Sequence, residues 1–412
     1  MITQPSKRAN MKFKFIKTFF FLLFLSSIIE TSSAKWNEPY FILPDSDRPS
    51  IIQDTSGIYW IAFNSYTNPQ NIWIMNSNDS INWTNFYQVT ASNLTDYEAN
   101  LIQDHNGRFW ILFSSLIEIR GTLNFNYDLK LVHSDNGINW SEPINITNSP
   151  FIESYPYIMQ DRTGRYFITY STYGNASNNL DIYLKYSDDG SIWSQAIRIT
   201  DSPESDIFPI MIQDNSRKYW MLFSVNTRER HKPLLNKYDL FLIDSGDGIR
   251  WSDAAEITNL SYNINYPYFM QDKDGVFWIP HMTGITGSEE LGIMGSLNGT
   301  DWTDSVVLSN YSNEGYFKTD YKSMIQDRNG SYIYAFTSAK IGRGIWLMNG
   351  TPELNFSKAR KMEFNITRIT VENDTKNIIR TIPGSKNNEL GIEFGLLTLL
   401  IFLLCIVMKR LS

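Results

Sequence analysis

Along most of the chain, apolar positions come in short runs rich in aromatic and β-branched residues, each bounded by Gly, Pro, Asn, Asp or Ser. Runs of this kind predict strands. The runs also repeat. A Gln-Asp pair stands at 53–54, 103–104, 160–161, 213–214, 271–272 and 326–327, in steps of 50 to 58 residues. Before each pair lies an apolar run, from PSIIQD and ANLIQD to KSMIQD, and four of the six begin with Pro. After it come a turn, usually with Gly, and an aromatic run such as YWIAF, FWILF or YWMLF. A third run follows in every copy, from NIWIMNS to GIWLMNG. In five copies it leads into a turn ending in Trp (SNDSINW, SDNGINW, SDDGSIW, SGDGIRW and SLNGTDW), and a fourth short run follows that Trp.

Four strands per repeat, six times over, predict an all-β, six-bladed β-propeller spanning residues 35–350. The sixth copy ends at LMNGTPELNF and lacks its Trp turn. The missing piece stands at the other end: Trp36-Asn37-Glu38-Pro39 matches Trp140-Ser141-Glu142-Pro143. The N-terminal strand therefore completes the last blade and leaves no open sheet edge between first and last.

The two ends read as addresses. Residues 1–34 carry a basic head (Lys7, Arg8, Lys12, Lys14, Lys17), a short apolar run from Thr18 to Ile29 and the small-residue exit Ser32-Ser33-Ala34, which predicts a secretory signal peptide. Phe394–Met408 is uncharged and is followed by Lys409-Arg410. With the preceding residues it predicts, over 390–412, a transmembrane or sorting segment that keeps its basic pair inside and displays the rest outside. Residues 351–389 read as a polar stalk.

Composition narrows the partners. With 36 Lys and Arg against 43 Asp and Glu, the net charge is −7, so nothing favours nucleic acid. Signal removal takes five cations and one anion, leaving the body more acidic still. Cys405 is the only cysteine and lies in the tail, so the exported body has no thiol to pair. Fourteen Asn-x-Ser/Thr tripeptides, Asn82, Asn139 and Asn145 among them, are consistent with a glycosylated surface. His105, His133, His231 and His281 are scattered without paired spacing, so neither a metal nor a cofactor is expected.

The five Trp turns resemble the Asp boxes of the sialidase-like superfamily, one residue tighter than that family's usual Ser-x-Asp-x-Gly-x-x-Trp. The resemblance covers about residues 36–350 and implies a six-bladed sialidase-type propeller. It also implies that the boxes are structural and lie away from the active-site face, so Asp79, Asp135, Asp189 and Asp247 are not expected to be catalytic. The functional face then carries the starts of the first strands and the loops between second and third strands.

Five residues before each Gln, the register places Arg48, Glu98, Tyr155, Phe208, Tyr266 and Tyr321, a set expected to ring the channel mouth. Four aromatics with one cation and one anion suit a sugar, whose CH faces stack on rings while its hydroxyls take polar partners. Repeated aromatics also serve blade packing, so both roles are open for Tyr155, Phe208 and Tyr266. The loops add Glu118 and Arg120, Arg228-Glu229-Arg230-His231, and Lys340 with Arg343 as candidate ligand contacts.

The resemblance implies three Arg on a substrate carboxylate, a Tyr nucleophile with a Glu, and an Asp acid/base. Arg48, Arg228 and Tyr321 match the first Arg, the second Arg and the nucleophile. The loop NSYTNPQN lacks the expected Arg and Asp, Phe208 stands where a Glu would activate the Tyr, and TGITGSEEL carries Glu where the third Arg is expected. A phenol without its base is a poor nucleophile at neutral pH.

Conventional sialidase activity is therefore not expected. The sequence favours a cell-surface propeller that binds an extracellular glycan or surface glycoprotein through Arg48, Glu98, Arg120, Tyr155, Phe208, Arg228, Arg230, Tyr266, Tyr321 and Arg343. One alternative is a divergent exo-glycosidase using Tyr321 and Arg48 with a carboxylate such as Glu98. Another is a structural or adhesion component of the cell envelope.

Overall fold

The computed structural model describes residues 36–118, 125–173, 179–227, 237–259, 263–284, 290–308, 322–338, 343–352 and 354–361. The predicted signal peptide and C-terminal anchor lie outside them, as do Arg120, Arg228, Glu229, Arg230, His231, Tyr321 and Lys340.

The described residues form six antiparallel sheets, and in blades 1 to 4 the four strands lie in sequence order from the channel outwards. Blade 2 is typical: Asp96–Gln103, Phe109–Glu118, Phe125–Ser134 and Ile144–Asn145. Blades 1, 3 and 4 begin at Ser46–Gln53, Glu153–Gln160 and Asp206–Gln213. Blade 5 opens on a first strand broken into Asn263–Asn265 and Met270–Gln271. Blade 6 runs Lys322–Gln326, Tyr332–Ser338 and Gly344–Gly350. Its fourth strand is Tyr40–Pro44, paired antiparallel with Gly344–Gly350 through Tyr40 and Leu347. The N-terminal strand thus closes the ring.

The second strands explain why the aromatic runs are continuous rather than alternating. Tyr59–Ser65, Tyr166–Tyr173 and Tyr219–Asn226 are buried along nearly their whole length, because neighbouring blades cover both faces. Between each pair of blades lies one apolar cluster. Each of these six clusters takes one repeating Trp: Trp83, Trp140, Trp193, Trp251, Trp302 and, between blades 5 and 6, Trp36.

The Gln-Asp pairs are inter-blade latches. Asp104 accepts the backbone amides of Asn106 and Arg108 with one oxygen, holding its own hairpin turn. Its other oxygen accepts Trp110 Nε1 at 2.9 Å and the Tyr166 hydroxyl of the next blade at 2.6 Å. Each Gln uses its amide nitrogen on its own turn, as Gln103 does on the Gly107 carbonyl at 2.9 Å. Its oxygen accepts a backbone amide from the preceding blade: Thr55 to Gln103, His105 to Gln160, Arg162 to Gln213, Asn215 to Gln271 and Lys273 to Gln326. Arg328 to Gln53 completes the belt across the closing seam.

The Trp turns are held by the residue two after the Ser. Asp79 accepts Ile81 and Asn82 amides on one oxygen, and Asp189, Asp247 and Asn298 do the same in their blades. In blade 2 that residue is Asn136, not Asp135. Asp135 instead forms an exposed ion pair with Arg108 at 2.7 Å. A backbone amide from Asn82, with further hydrogen bonds, holds the Asp79 carboxyl well below its ordinary range.

Blade 6 has no such turn, and the chain beyond it fills the place. Leu354 and Phe356 join the cluster between blades 5 and 6, with the Phe356 ring 6.1 Å from Trp278. Arg360–Lys361 then pairs with Asp301–Trp302 at the outer side of blade 5.

Candidate functional site

In blades 1 to 4 the first strand carries a bulge, with register shifts between Asp47 and Ser50, Tyr97 and Asn100, Ser154 and Tyr157, and Ile207 and Ile210. The bulged residues are Arg48, Glu98, Tyr155 and Phe208, and they have φ of 54°, 61°, 56° and 57°. Tyr266, at the break in the first strand of blade 5, has φ of 47°. All five are in the left-handed region, which costs a non-glycine residue roughly 1–2 kcal/mol. In four of the five a Pro follows, which suits a position where the ladder loses a bond. Each bulge lets its residue reach the axis, and all five line one cavity of about 100 Å³ at the channel mouth.

Around the mouth these residues touch in blade order. Arg48 Nη1 lies 3.5 Å from Glu98 Oε1, and Arg48 Nε lies 3.9 Å from Asp47 Oδ2. The guanidinium also sits over the Tyr97 ring, 4.8 Å from its centroid. Glu98 is 6% exposed. Its Oε2 accepts the Tyr155 backbone amide at 2.9 Å and the Ser114 hydroxyl at 3.2 Å. The Tyr155 ring meets Phe208 at 4.1 Å between centroids, and Phe208 meets Tyr266 at 4.8 Å, both tilted by about 50°. One half of the mouth is thus charged and the other aromatic. Burial, and then the Glu98 charge, push the Tyr155 phenol up, so it stays protonated at neutral pH.

Two residues further along each first strand a second layer floors the cavity. Ser50 accepts the Leu101 amide at 3.0 Å, Asn100 that of Ile158 at 2.9 Å, and Ser323 that of Ile51 at 3.2 Å, each joining two blades. Tyr157 and Tyr268 hydrogen-bond to one another, and burial raises both phenols. The mouth is a floored pocket.

Sequence register therefore placed Arg48, Glu98, Tyr155, Phe208 and Tyr266 together. Tyr321, Arg120, Arg228 and Arg230 lie outside the described residues. Arg343 does not line the cavity; its guanidinium lies 3.2 Å from the centroid of the Tyr66 ring. Burial and the nearby Asp47 charge push the Tyr66 phenol up to about 12. Asp47, Ser50, Tyr97 and Asn100 are site residues that the sequence reading missed. The alternation of side chains along the first strand could have found Ser50 and Asn100.

Among the described residues no group of three or more His, Cys, Asp or Glu is placed to hold a metal ion. His281 is buried between the Ile279 carbonyl and the Ser305 hydroxyl. A second, polar cavity of about 620 Å³ lies where blade 6 meets blade 1, lined by Asp79, Ser80, Asp327 and Ile333 among others. Its carboxylates are already hydrogen-bonded: Asp79 accepts the Ile81 and Asn82 amides of its own turn, and Asp327 those of Asn329 and Ser331 together with the Tyr59 hydroxyl of blade 1.

These features define a six-bladed β-propeller with a pocket at one end of its axis. No family model matches the chain, and no curated protein sequence matches it. Solved structures do. A protein of unknown function from Dyadobacter fermentans aligns with a TM-score of 0.61 at 13% identity, over 78% of this chain and 99% of its own. The GH93 α-L-arabinofuranosidase of Fusarium graminearum, in complex with arabinobiose, aligns with a TM-score of 0.59 at 14% identity, over 79% and 99%. Trypanosoma rangeli sialidase, in complex with the inhibitor DANA, aligns with a TM-score of 0.52 at 11% identity, over 75% of this chain and 55% of its own. Sialidases and GH93 arabinofuranosidases are both six-bladed propellers, and this chain shares their fold.

Proposed function

We propose that the protein is an exported, surface-anchored propeller that binds a glycan at the channel mouth without conventional sialidase activity. The observation that carries this reading is the backbone of the mouth. Five bulky residues hold positive φ where Gly or Asn would be cheaper, and all five line the same pocket. A purely architectural bulge would not require Arg, Glu, Tyr, Phe and Tyr at that position. Tyr155 and Tyr266 offer apolar ring surface, and the Arg48–Glu98 pair offers polar partners, the combination a sugar needs. The basic, apolar and small-residue pattern of the first 34 residues, and the apolar tail closed by Lys409-Arg410, support export and anchoring.

Glu98 is poorly suited to act as a base, since Arg48 engages one of its oxygens and Ser114 and Tyr155 the other. A second reading, a divergent exo-glycosidase using Tyr321, is favoured by the structural neighbours, an arabinofuranosidase and sialidases among them. The test is to screen the purified protein against immobilised glycans and, in parallel, against chromogenic glycosides. Binding without sugar release supports the first reading. Release that disappears in Tyr321→Phe replaces it with the second, and an adhesion role gains if no glycan binds while a surface protein is captured.

A further inference from the structure

We propose that the mouth selects an uncharged sugar, and that Glu98 is the residue that turns away a carboxylate-bearing one. The proposal rests on the glycan-binding reading above. Among the described residues, Arg48 and Glu98 are the only charged side chains lining the cavity, and they face each other at 3.5 Å. An arginine reads a sugar carboxylate by offering its planar fork to the two oxygens. Here the guanidinium already has two carboxylates beside it, Glu98 at 3.5 Å and Asp47 at 3.9 Å, and the Tyr97 ring beneath it. An incoming carboxylate would have to displace Glu98 from the guanidinium, and it meets the like charge of Glu98 as it approaches.

Glu98 cannot readily swing aside to free Arg48. Its other oxygen accepts the Tyr155 backbone amide at 2.9 Å and the Ser114 hydroxyl at 3.2 Å, so moving it would strand a backbone donor. Its side chain is only 4% exposed, where little water screens it. Across the pocket, Tyr155, Phe208 and Tyr266 add aromatic surface and no charge. Such a surface accepts the CH face of a neutral ring.

The test uses the full chain, titrated by calorimetry with matched sugar pairs that differ by a carboxylate: galacto-oligosaccharide against galacturono-oligosaccharide, and lactose against sialyllactose. Like-charge juxtaposition predicts that the neutral member binds at least about tenfold more tightly. Glu98→Gln should close or reverse that gap by strengthening the acidic member, and Asp47→Asn should narrow it less. Tighter binding of the acidic member by the unaltered protein overturns the proposal without any variant, leaving the glycan reading in place. An unchanged ratio in a folded Glu98→Gln protein also overturns it. Failure of both members of every pair to bind removes the glycan reading itself.

Discussion

The backbone amide of Arg328 donates to the side-chain oxygen of Gln53 at 2.8 Å, across 275 residues of chain. The same bond joins His105 to Gln160 and Lys273 to Gln326 at internal seams, at 2.8 and 2.9 Å. The closing seam is therefore latched as the others are, although its last strand comes from the opposite end of the chain.

Gln53→Ala removes this bond and the one from Gln53 Nε2 to the Gly57 carbonyl at 3.0 Å. The expected loss in denaturant unfolding is about 1–2 kcal/mol for two bonds near the surface. Gln103→Ala, which removes the equivalent pair, should cost about the same. A loss at Gln53 much smaller than at Gln103 would mean that the seam between blades 6 and 1 opens before the rest.

Much of this was legible in the chain and some was not, for definable reasons. The spacing of the Gln-Asp pairs gives the blades, and the match of Trp36-Asn37-Glu38-Pro39 to Trp140-Ser141-Glu142-Pro143 gives the closure, because both are local patterns. Counting back from each Gln found the mouth residues, since strand register is linear. Their positive φ was hidden, because none is Gly, Asn or Asp, the types that advertise it. The belt was hidden too, because each Gln oxygen meets a partner in a different blade.

At the closing seam two residues depart from the pattern together. A Cβ on Gly137 would lie 2.7 Å from the Trp60 ring, so the turn glycine is required where an indole packs beneath it. Between blades 6 and 1 the glycine's place is taken by Ser80 and the indole's by Ile333, and both line the seam cavity. Ile333→Trp alone should destabilise by about 1–3 kcal/mol through overpacking, and Ser80→Gly in the same chain should restore stability. A double-mutant cycle should show coupling above about 1 kcal/mol. Additive effects would mean that the two sites do not share the space.

Buried carboxyls on the mouth side predict a falling stability at alkaline pH. Burial, with the neighbouring Asp128 charge, raises Glu153 to about 8 despite hydrogen bonds from Ser149 and Thr147. Burial likewise raises Asp206 to about 7, with Asp181 and Glu204 adding to it and Ser202 donating to its oxygens. Lys185, whose own pKa burial lowers, feels the Glu153 charge, and Arg198 offsets Asp181 at 2.6 Å. The folded state holds these protons where the unfolded chain has released them, so stability falls as pH rises from the ordinary carboxyl range through about 7 to 8.

On the acid side Asp54, Asp104, Asp161 and Asp214 act the other way. Burial alone would raise them, but hydrogen bonds from Trp, Tyr and backbone donors hold them below 3.8, so their contribution is lost as pH drops. Thermal unfolding should give the highest Tm near about pH 5, and Glu153→Gln should flatten the alkaline limb. A Tm that climbs steadily from pH 5 to 8 would contradict these assignments.

Tyr266→Gly should separate function from stability. It relieves a positive φ worth roughly 1–2 kcal/mol while losing a ring contact worth about 0.5–1.5 kcal/mol. The ring also gives up the apolar area it buries, so stability should fall by no more than about 1–3 kcal/mol, with ligand binding clearly weakened. A large loss of stability with unchanged binding would make the aromatic half of the mouth a packing device.

The most direct measurement is a crystal structure of the protein soaked with a glycan that binds it. Sugar density is expected in the pocket at the channel mouth, its ring face against Tyr155 or Tyr266 and hydroxyls within hydrogen-bond reach of Arg48 or Glu98. Density in the polar cavity between blades 6 and 1, with the mouth empty, would contradict it.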